Sequence, residues 1–212
     1  MKARPILMSA PMVRALLDGR KTQTRRVIAQ RSLDNSFCVI KSATSDAQQL
    51  VWRGAVPCPY GQPGDLLWVR ETWGRCRGVG QEVQPTAPVI YRADMDHCGQ
   101  HPCLLDGQTV LVNAREPWKP SIHMPRSASR LTLEITGVRV ELLQDISDAD
   151  AMAEGDPNQS LIASENTHLD WYQTLWESIN GRGSWDANPW VWVLEFRVHQ
   201  VNVDELLKRR AA

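Results

Sequence analysis

Hydrophobic and polar positions along the chain switch between a helical and an alternating rhythm, and the switches mark out the elements. Between Ser9 and Gly19, Met12, Val13, Leu16 and Leu17 recur at helical spacing, which predicts a short amphipathic helix. Ser9 stands where an N-cap is wanted, Pro11 is tolerated in a first turn, and Gly19 suits the left-handed residue that ends a helix. Thr22 to Ile28 then reads as a strand with Thr22, Thr24 and Arg26 on one face. Dense turn chemistry from Pro57 to Asp65 launches an apolar strand over Leu66 to Trp73. Leu131, Leu133 and Ile135 share one strand face, and Val138, Val140 and Leu142 follow out of phase, which predicts a bulge or bend at Gly137. Ser147-Asp148-Ala149-Asp150 has capping-box spacing and opens a short helix that ends at Gly155, with Glu154 its last residue. A second helix is expected over Asn166 to Ile179, burying Leu169, Tyr172, Leu175, Trp176 and Ile179. Trp190 to Val198 reads as a final strand, and Val203 to Arg210 as a solvated terminal helix.

Two stretches lack such rhythm. Residues 29–56 are mixed, with short strands at Phe37 to Ile40 and at Val51-Trp52. Residues 74–114 are rich in Gly, Pro, Gln and Asp, with strands at Val89 to Arg92 and Thr109 to Val112. Both read as loop-rich insertions in a single domain spanning residues 1–212. Trp118 to Arg126 is bracketed by prolines and therefore extended or turning. No internal repeat is present. Strands do not alternate regularly with long helices, so the expected class is mixed α/β of the α+β kind. A small mixed β-barrel with short peripheral helices fits better than a doubly wound sheet.

Charge narrows the partners. Acids and bases balance at 24 each, so no global field draws the protein to nucleic acid or membrane, and any polyanion site must be a local patch. Bases gather at Arg14 to Arg31 and Arg115 to Arg130, acids between Glu141 and Asp170. No apolar run reaches the roughly 20 residues of a membrane span, and the N-terminus lacks a signal-peptide core. The five cysteines are odd in number and thinly spread, so a reducing cytoplasm is the default setting. His97, Cys98, His101 and Cys103 have permissible zinc spacing. Four ligands within seven residues, with no second ligand pair elsewhere, favour a variable loop, so neither metal nor cofactor is expected. Cys58, in a Pro-Cys-Pro turn, reads as a small buried residue.

The chemistry concentrates in Gly19-Arg20-Lys21-Thr22-Gln23-Thr24-Arg25-Arg26. Arg20 and Lys21 are explained as complements to the dipole of the helix they follow. Arg25, Arg26 and the alternating threonines are not, and a face with hydroxyls and a cation beside a lysine suits an anionic or strongly polar ligand. Together with Pro63 to Glu71 (PGDLLWVRE) and the closing Trp190 to Phe196 strand (WVWVLEF), this run resembles the ASCH family of the PUA-like β-barrel superfamily. The resemblance covers about two-thirds of the chain, leaves out residues 29–56 and 74–114, and is nearest a larger phage- and prophage-borne branch. Ser127 stands where relatives of that branch tend to carry tryptophan.

The resemblance implies a PUA-like barrel and, from the small bacterial relatives, a metal-independent amidohydrolase that deacetylates N4-acetylcytidine. Carried over by position, the catalytic residues are Lys21, Thr24 and Glu154. Thr24 supplies or positions the nucleophile, Lys21 stabilises the oxyanion or acts as base, and Glu154 shuttles the proton. Arg20, Arg25, Arg26, Trp68, Glu71, Trp118, His123 and Arg126 are the candidate nucleoside or RNA contacts. The alternative is RNA binding without catalysis, with Lys119 and Arg130 as further phosphate partners and Trp68, Trp73 and Trp118 as stacking surfaces. A third possibility is ribonuclease action, with His123 and Lys119 in acid-base roles. Against these stands the plain reading in which most arginines pair with acids and most tryptophans are core.

Overall fold

The structure is a computed structural model that describes residues 1–29, 37–41, 48–52, 58–76, 87–95, 100–105, 108–113, 118–157 and 167–211. Among these residues are eleven strands. They are β1 (Ala3–Leu7), β2 (Gln23–Val27), β3 (Phe37–Lys41), β4 (Gln48–Trp52), β5 (Leu66–Arg70), β6 (Trp73–Arg75), β7 (Val89–Tyr91), β8 (Gln100–Leu105), β9 (Gln108–Asn113), β10 (Thr132–Leu142) and β11 (Trp190–His199). The α-helices are α1 (Ala10–Leu17), α2 (Asp148–Ala153), α3 (His168–Asn180) and α4 (Val203–Ala211). One mixed sheet has the order β1-β5-β10-β11-β2, and β3-β4, β6-β7 and β8-β9 form two-stranded sheets. The class is therefore mixed α/β. Among the described residues β1 and β2 end the large sheet, and no closed barrel forms. The stretches expected to be loop-rich insertions contain antiparallel hairpins, β3-β4 in the first and β8-β9 in the second.

By internal contacts the chain divides into two compact units. The first comprises Met1–Lys2, Gly19–Asp65 and Glu134–Arg197. In it β2 lies antiparallel to β11, with Thr24 opposite Leu194 and Arg25 opposite Val193. Its core joins Leu143, Ile146, Ala151, Tyr172, Trp176, Val191 and Val193. Helix α2 starts as its sequence suggests, with the Ser147 hydroxyl accepting the Asp150 N–H. Thr167 and Asp170 form a reciprocal capping box at the start of α3. Tyr172 and Trp176 are buried and Leu169 and Leu175 pack beside them, but Ile179 is 54% exposed. It keeps the helical phase of the buried face, yet sits in the last turn, outside the core cluster.

Strand β10 continues through Gly137, where a bulge or bend was expected. A Cβ there would lie 2.7 Å from a Glu195 carboxylate oxygen, so the glycine makes room for a neighbouring side chain. Beyond it the strand is only half-buried, because Arg139 and Glu141 enter a charged network instead of an apolar face.

The second unit comprises Ala3–Asp18, Leu66–Leu133 and Val198–Ala212. Strand β1, which the hydrophobic pattern did not announce, pairs in parallel with β5 from Ala3↔Leu66 to Leu7↔Arg70. The expected Leu66–Trp73 strand divides into β5 and β6 at Glu71-Thr72. Helix α1 buries Met12, Val13, Ala15 and Leu16. Helix α4 is not simply solvated: Val203 and Leu206, spaced i, i+3, pack with Leu66 and Trp68. Cys58, in the first unit, is buried and forms no disulfide. Cys76 is disulfide-bonded, which the thin spacing of the cysteines gave no reason to expect.

Gly19 has φ +74°, the left-handed conformation expected after a helix, and an added Cβ would meet no atom within 4 Å. Gly19→Ala is therefore expected to lower stability through backbone strain alone, by roughly 1–2 kcal/mol in urea unfolding.

Candidate active site

The basic segment docks on the C-terminal end of α2. The Thr22 N–H donates to the Ala153 carbonyl at 2.9 Å, Lys21 Nζ to the Glu154 carbonyl at 2.8 Å, and an Arg20 guanidinium nitrogen to the Gly155 carbonyl at 2.6 Å. Three consecutive residues meet three consecutive carbonyls in antiparallel order. Terminal carbonyls of a helix have no partner within it and carry its negative end, so donors and cations are favoured there. Arg20 and Lys21 thus complement a helix dipole, but that of α2 instead of the helix they follow. Gly155, with φ +105°, turns the chain away after the last clasped carbonyl.

This docking brings Lys21 and Glu154 together. Lys21 Nζ lies 2.6 Å from Glu154 Oε2, with Lys21 1% and Glu154 3% exposed. Arg25 holds the other oxygen, Oε1, at 3.2 Å. Burial pushes the Lys21 ammonium below the ordinary lysine range; Glu154 opposes that shift, and the charges of Arg26 and Arg25 add to it.

Around the pair lies a charged network. Arg25 donates to Glu141 Oε1 and to the Gln23 side-chain oxygen, and its guanidinium lies 3.4 Å from Asp150 Oδ2. Gln23 donates to Asp150 at 2.9 Å, and Arg139 bonds both Glu141 and Asp150. Gln23 and Arg25 share one face of β2, as strand alternation requires, and Thr24 and Arg26 share the other. Tyr172 closes one side, with the Arg25 guanidinium carbon 5.7 Å from its ring centre. Its hydroxyl is pushed well above the usual tyrosine range, by burial first and then by the Glu154 charge. Burial favours the protonated form of Asp150, but the Gln23 bond and the Arg139 and Arg25 charges outweigh it and hold its pKa below the usual range.

Of the residues expected to act together, Lys21 and Glu154 are in direct contact. Thr24 is buried on the strand face opposite Gln23 and Arg25. Gln23, Glu141, Asp150, Arg139 and Tyr172 were missed. Their signals were the acid-rich stretch from Glu141 and the alternation of Arg139 with Glu141, legible only once β10 is known to pass beside β11.

The remaining candidates belong to the second unit. Trp68 is 9% exposed and packs in the cluster with α4, and Trp73 is 5% exposed, so both are core residues and offer little ring surface for stacking. Trp118 is half-buried, with Arg92 5.7 Å from its ring centre. Glu71 is 1% exposed and held by both Nε and an outer nitrogen of Arg130, at 2.9 and 3.1 Å. Burial raises its pKa, and Arg130 counteracts the shift. Arg130 also bonds both Asp94 oxygens, at 2.7 Å each. Arg126 pairs with Asp204, and His123 lies exposed in a 3-10 turn over Ser121–His123. His97 and Cys98 lie outside the described residues, and His101 and Cys103 fall in β8. Among the described residues no three His, Cys, Asp or Glu side chains are grouped to hold a metal. No described helix is long and apolar enough to cross a membrane.

No family model, curated protein or solved structure matches the chain.

Two outcomes follow from the network. Glu154→Ala strands the buried Lys21 and deprives Arg25 of one partner, so it is expected to lower unfolding free energy by roughly 3–5 kcal/mol. Adding Lys21→Met, which removes the orphaned charge at similar volume, is expected to recover part of that loss in urea unfolding. Asp150 has a lowered folded pKa. It therefore contributes stability that is fully present above the unfolded aspartate value of about 3.9 and is lost as pH falls through the folded value. Asp150→Asn is expected to flatten that part of the acid limb when melting temperature is followed against pH.

Proposed function

We propose that this chain is an ASCH-type, PUA-like protein that binds an acylated nucleoside and hydrolyses its amide without a metal. The reading rests on one observation above the others: a buried lysine with a lowered pKa, 2.6 Å from a buried carboxylate. A lysine desolvated to that degree is available as a base at lower pH than an exposed one. In the proposed reaction neutral Lys21 takes a proton from a water molecule as the water oxygen bonds to the acyl carbon. Glu154 stabilises the ammonium that forms, and the charge of Arg26, which reaches Lys21, favours the negative charge developing on the acyl oxygen. When the C–N bond breaks, the ammonium returns its proton to the departing exocyclic nitrogen. Thr24 lies on the opposite face of β2 from Gln23 and Arg25, so it takes no part in the proposed reaction. The products are a carboxylic acid and the free amine, so atoms and protons balance.

RNA binding without turnover, or RNA cleavage, is the weaker reading. It needs arginines directed at phosphates, whereas Arg25, Arg126 and Arg130 are engaged by carboxylates of the chain itself. It also needs open aromatic faces, and Trp68 and Trp73 are buried.

The test is incubation of metal-free protein with N4-acetylcytidine, with cytidine release followed by chromatography. Turnover is expected to fall by roughly 10²–10⁴ in Lys21→Ala. kcat/KM is expected to rise with pH and to level off below the ordinary lysine range, since the deprotonated amine is the active form. No turnover at high enzyme concentration would sink this substrate. Salt-dependent binding of structured RNA would then favour the second reading.

A further inference from the structure

One buried carboxylate beside the site has no part in the proposed reaction. Asp156 is 1% exposed and follows Gly155 directly, two residues after Glu154. Its Oδ2 lies 2.8 Å from Nδ1 of His168, the first residue of α3, whose side chain is 22% exposed. Tyr172 lies one helical turn further along, i, i+4 from His168 and so on the same face of α3, and it packs under Arg25.

These contacts form a series. Residues 153, 154 and 155 are held through their carbonyls by Thr22, Lys21 and Arg20, and residue 156 is held through its side chain by His168. Every residue from the end of α2 to the start of the following segment therefore has a fixed partner. Glu154 lies in the middle: its N–H bonds back to the Asp150 carbonyl, and the Gly155 pivot that follows it has no Cβ to restrict the turn. The basic segment fixes one side of that turn. The Asp156–His168 pair fixes the other and ties it to the helix that carries Tyr172.

We propose that His168 is a positioning residue for the site: through Asp156 it locks the Gly155 turn and so keeps the Glu154 carboxylate against Lys21. The proposal rests on the reading of Lys21 and Glu154 as the reacting pair, but its geometry can be tested without turnover. The charged group in contact with His168 is Asp156 across the turn, and Asp170, in the first turn of the same helix, is held by Thr167. Arg20 holds the adjoining Gly155 carbonyl.

The test compares His168→Ala with His168→Asn, whose amide nitrogen falls where Nδ1 was and still donates to Asp156. The readout is the Lys21 side-chain amine, titrated by NMR in the otherwise intact protein. Glu154 supports the Lys21 ammonium against burial. Loosening Glu154 is therefore expected to move the Lys21 titration to lower pH in His168→Ala and to leave it unchanged in His168→Asn. Where wild-type turnover is present, kcat is expected to fall between about tenfold and a hundredfold in His168→Ala with KM held, and to recover in His168→Asn. A Lys21 titration identical to wild type in folded His168→Ala overturns the proposal, whether or not the protein hydrolyses any substrate. Should His168→Ala fail to fold, Asp156→Asn serves instead, since it keeps an acceptor while weakening the hold. A Lys21 titration that moves to lower pH supports the proposal, and an unchanged one rejects it. Absence of wild-type turnover with a shifted Lys21 titration rejects the amidohydrolase reading and leaves the positioning role standing.

Discussion

Three carbonyl oxygens at the C-terminal end of α2 receive donors from three consecutive residues of the basic segment, and the site follows from that register. Residues 20–22 and 153–155 are separated by more than a hundred positions in sequence. Setting one against the other closes a long loop, whose entropy must be offset locally. The offset comes from pairing helix-end carbonyls that would otherwise lack partners, and from placing two cations at the negative end of the helix. Backbone contacts set the register, and the Lys21–Glu154 pair is formed by it. A slip of one residue would bring Thr22 or Arg20 to the Glu154 carbonyl and leave Lys21 buried without its carboxylate.

A lysine at 1% exposure is expensive to bury, and the charge balance around it indicates how the fold tolerates it. Lys21, Arg25 and Arg139 are interleaved with Glu141, Asp150 and Glu154, so no cation is without a carboxylate and no carboxylate faces only another. Gln23 fills the remaining gap by donating to Asp150 while accepting from Arg25. Such a network adds less stability than its number of contacts suggests, because desolvation opposes every pair. Its stronger effect is geometric: each side chain has several fixed partners, so few alternative arrangements satisfy all of them. The lowered Lys21 pKa is the residue of this balance, since Glu154 compensates burial only in part.

Much of the fold was legible because local rules agree with tertiary packing. Helix α1, its Gly19 stop, the capped start of α2, helix α3, and strands β2, β5 and β11 follow from periodicity and turn chemistry. Ser9, however, makes no side-chain cap bond, and the Thr167 cap of α3 was not read. What escaped depends on neighbours. Strand β1 is short and contains Pro5, so its pattern is weak, and it is recognisable only from its pairing with β5. Gly137 read as a bulge or bend because the apolar phase changes there, and only the structure shows that the missing Cβ admits Glu195. Helix α4 looked solvated because its apolar stripe is narrow, yet Val203 and Leu206 are enough to seat it on Leu66 and Trp68. The site divides the same way. Lys21 and Glu154 could each be named from sequence, but their contact could not, and Glu141 and Asp150 look like ordinary surface acids until β10 and α2 bring them to Arg25.

The same pairing bears on what kind of ligand this segment suits. Four cations in seven residues suggest a phosphate-binding patch when read as a string. In the folded protein Lys21 and Arg25 face inward onto Glu154, Glu141 and Asp150, and Arg20 donates to a backbone carbonyl. A polyanion would have to compete with carboxylates already at 2.5 to 3.4 Å from the Arg25 guanidinium, without the counterion release that rewards contact with exposed cations. The proposed substrate, a neutral acyl nucleoside, faces no such competition. The proposed reaction needs one base of lowered pKa and a carboxylate to support the ammonium as it forms. The buried network therefore favours the proposed chemistry on a small uncharged group over grip on a charged backbone.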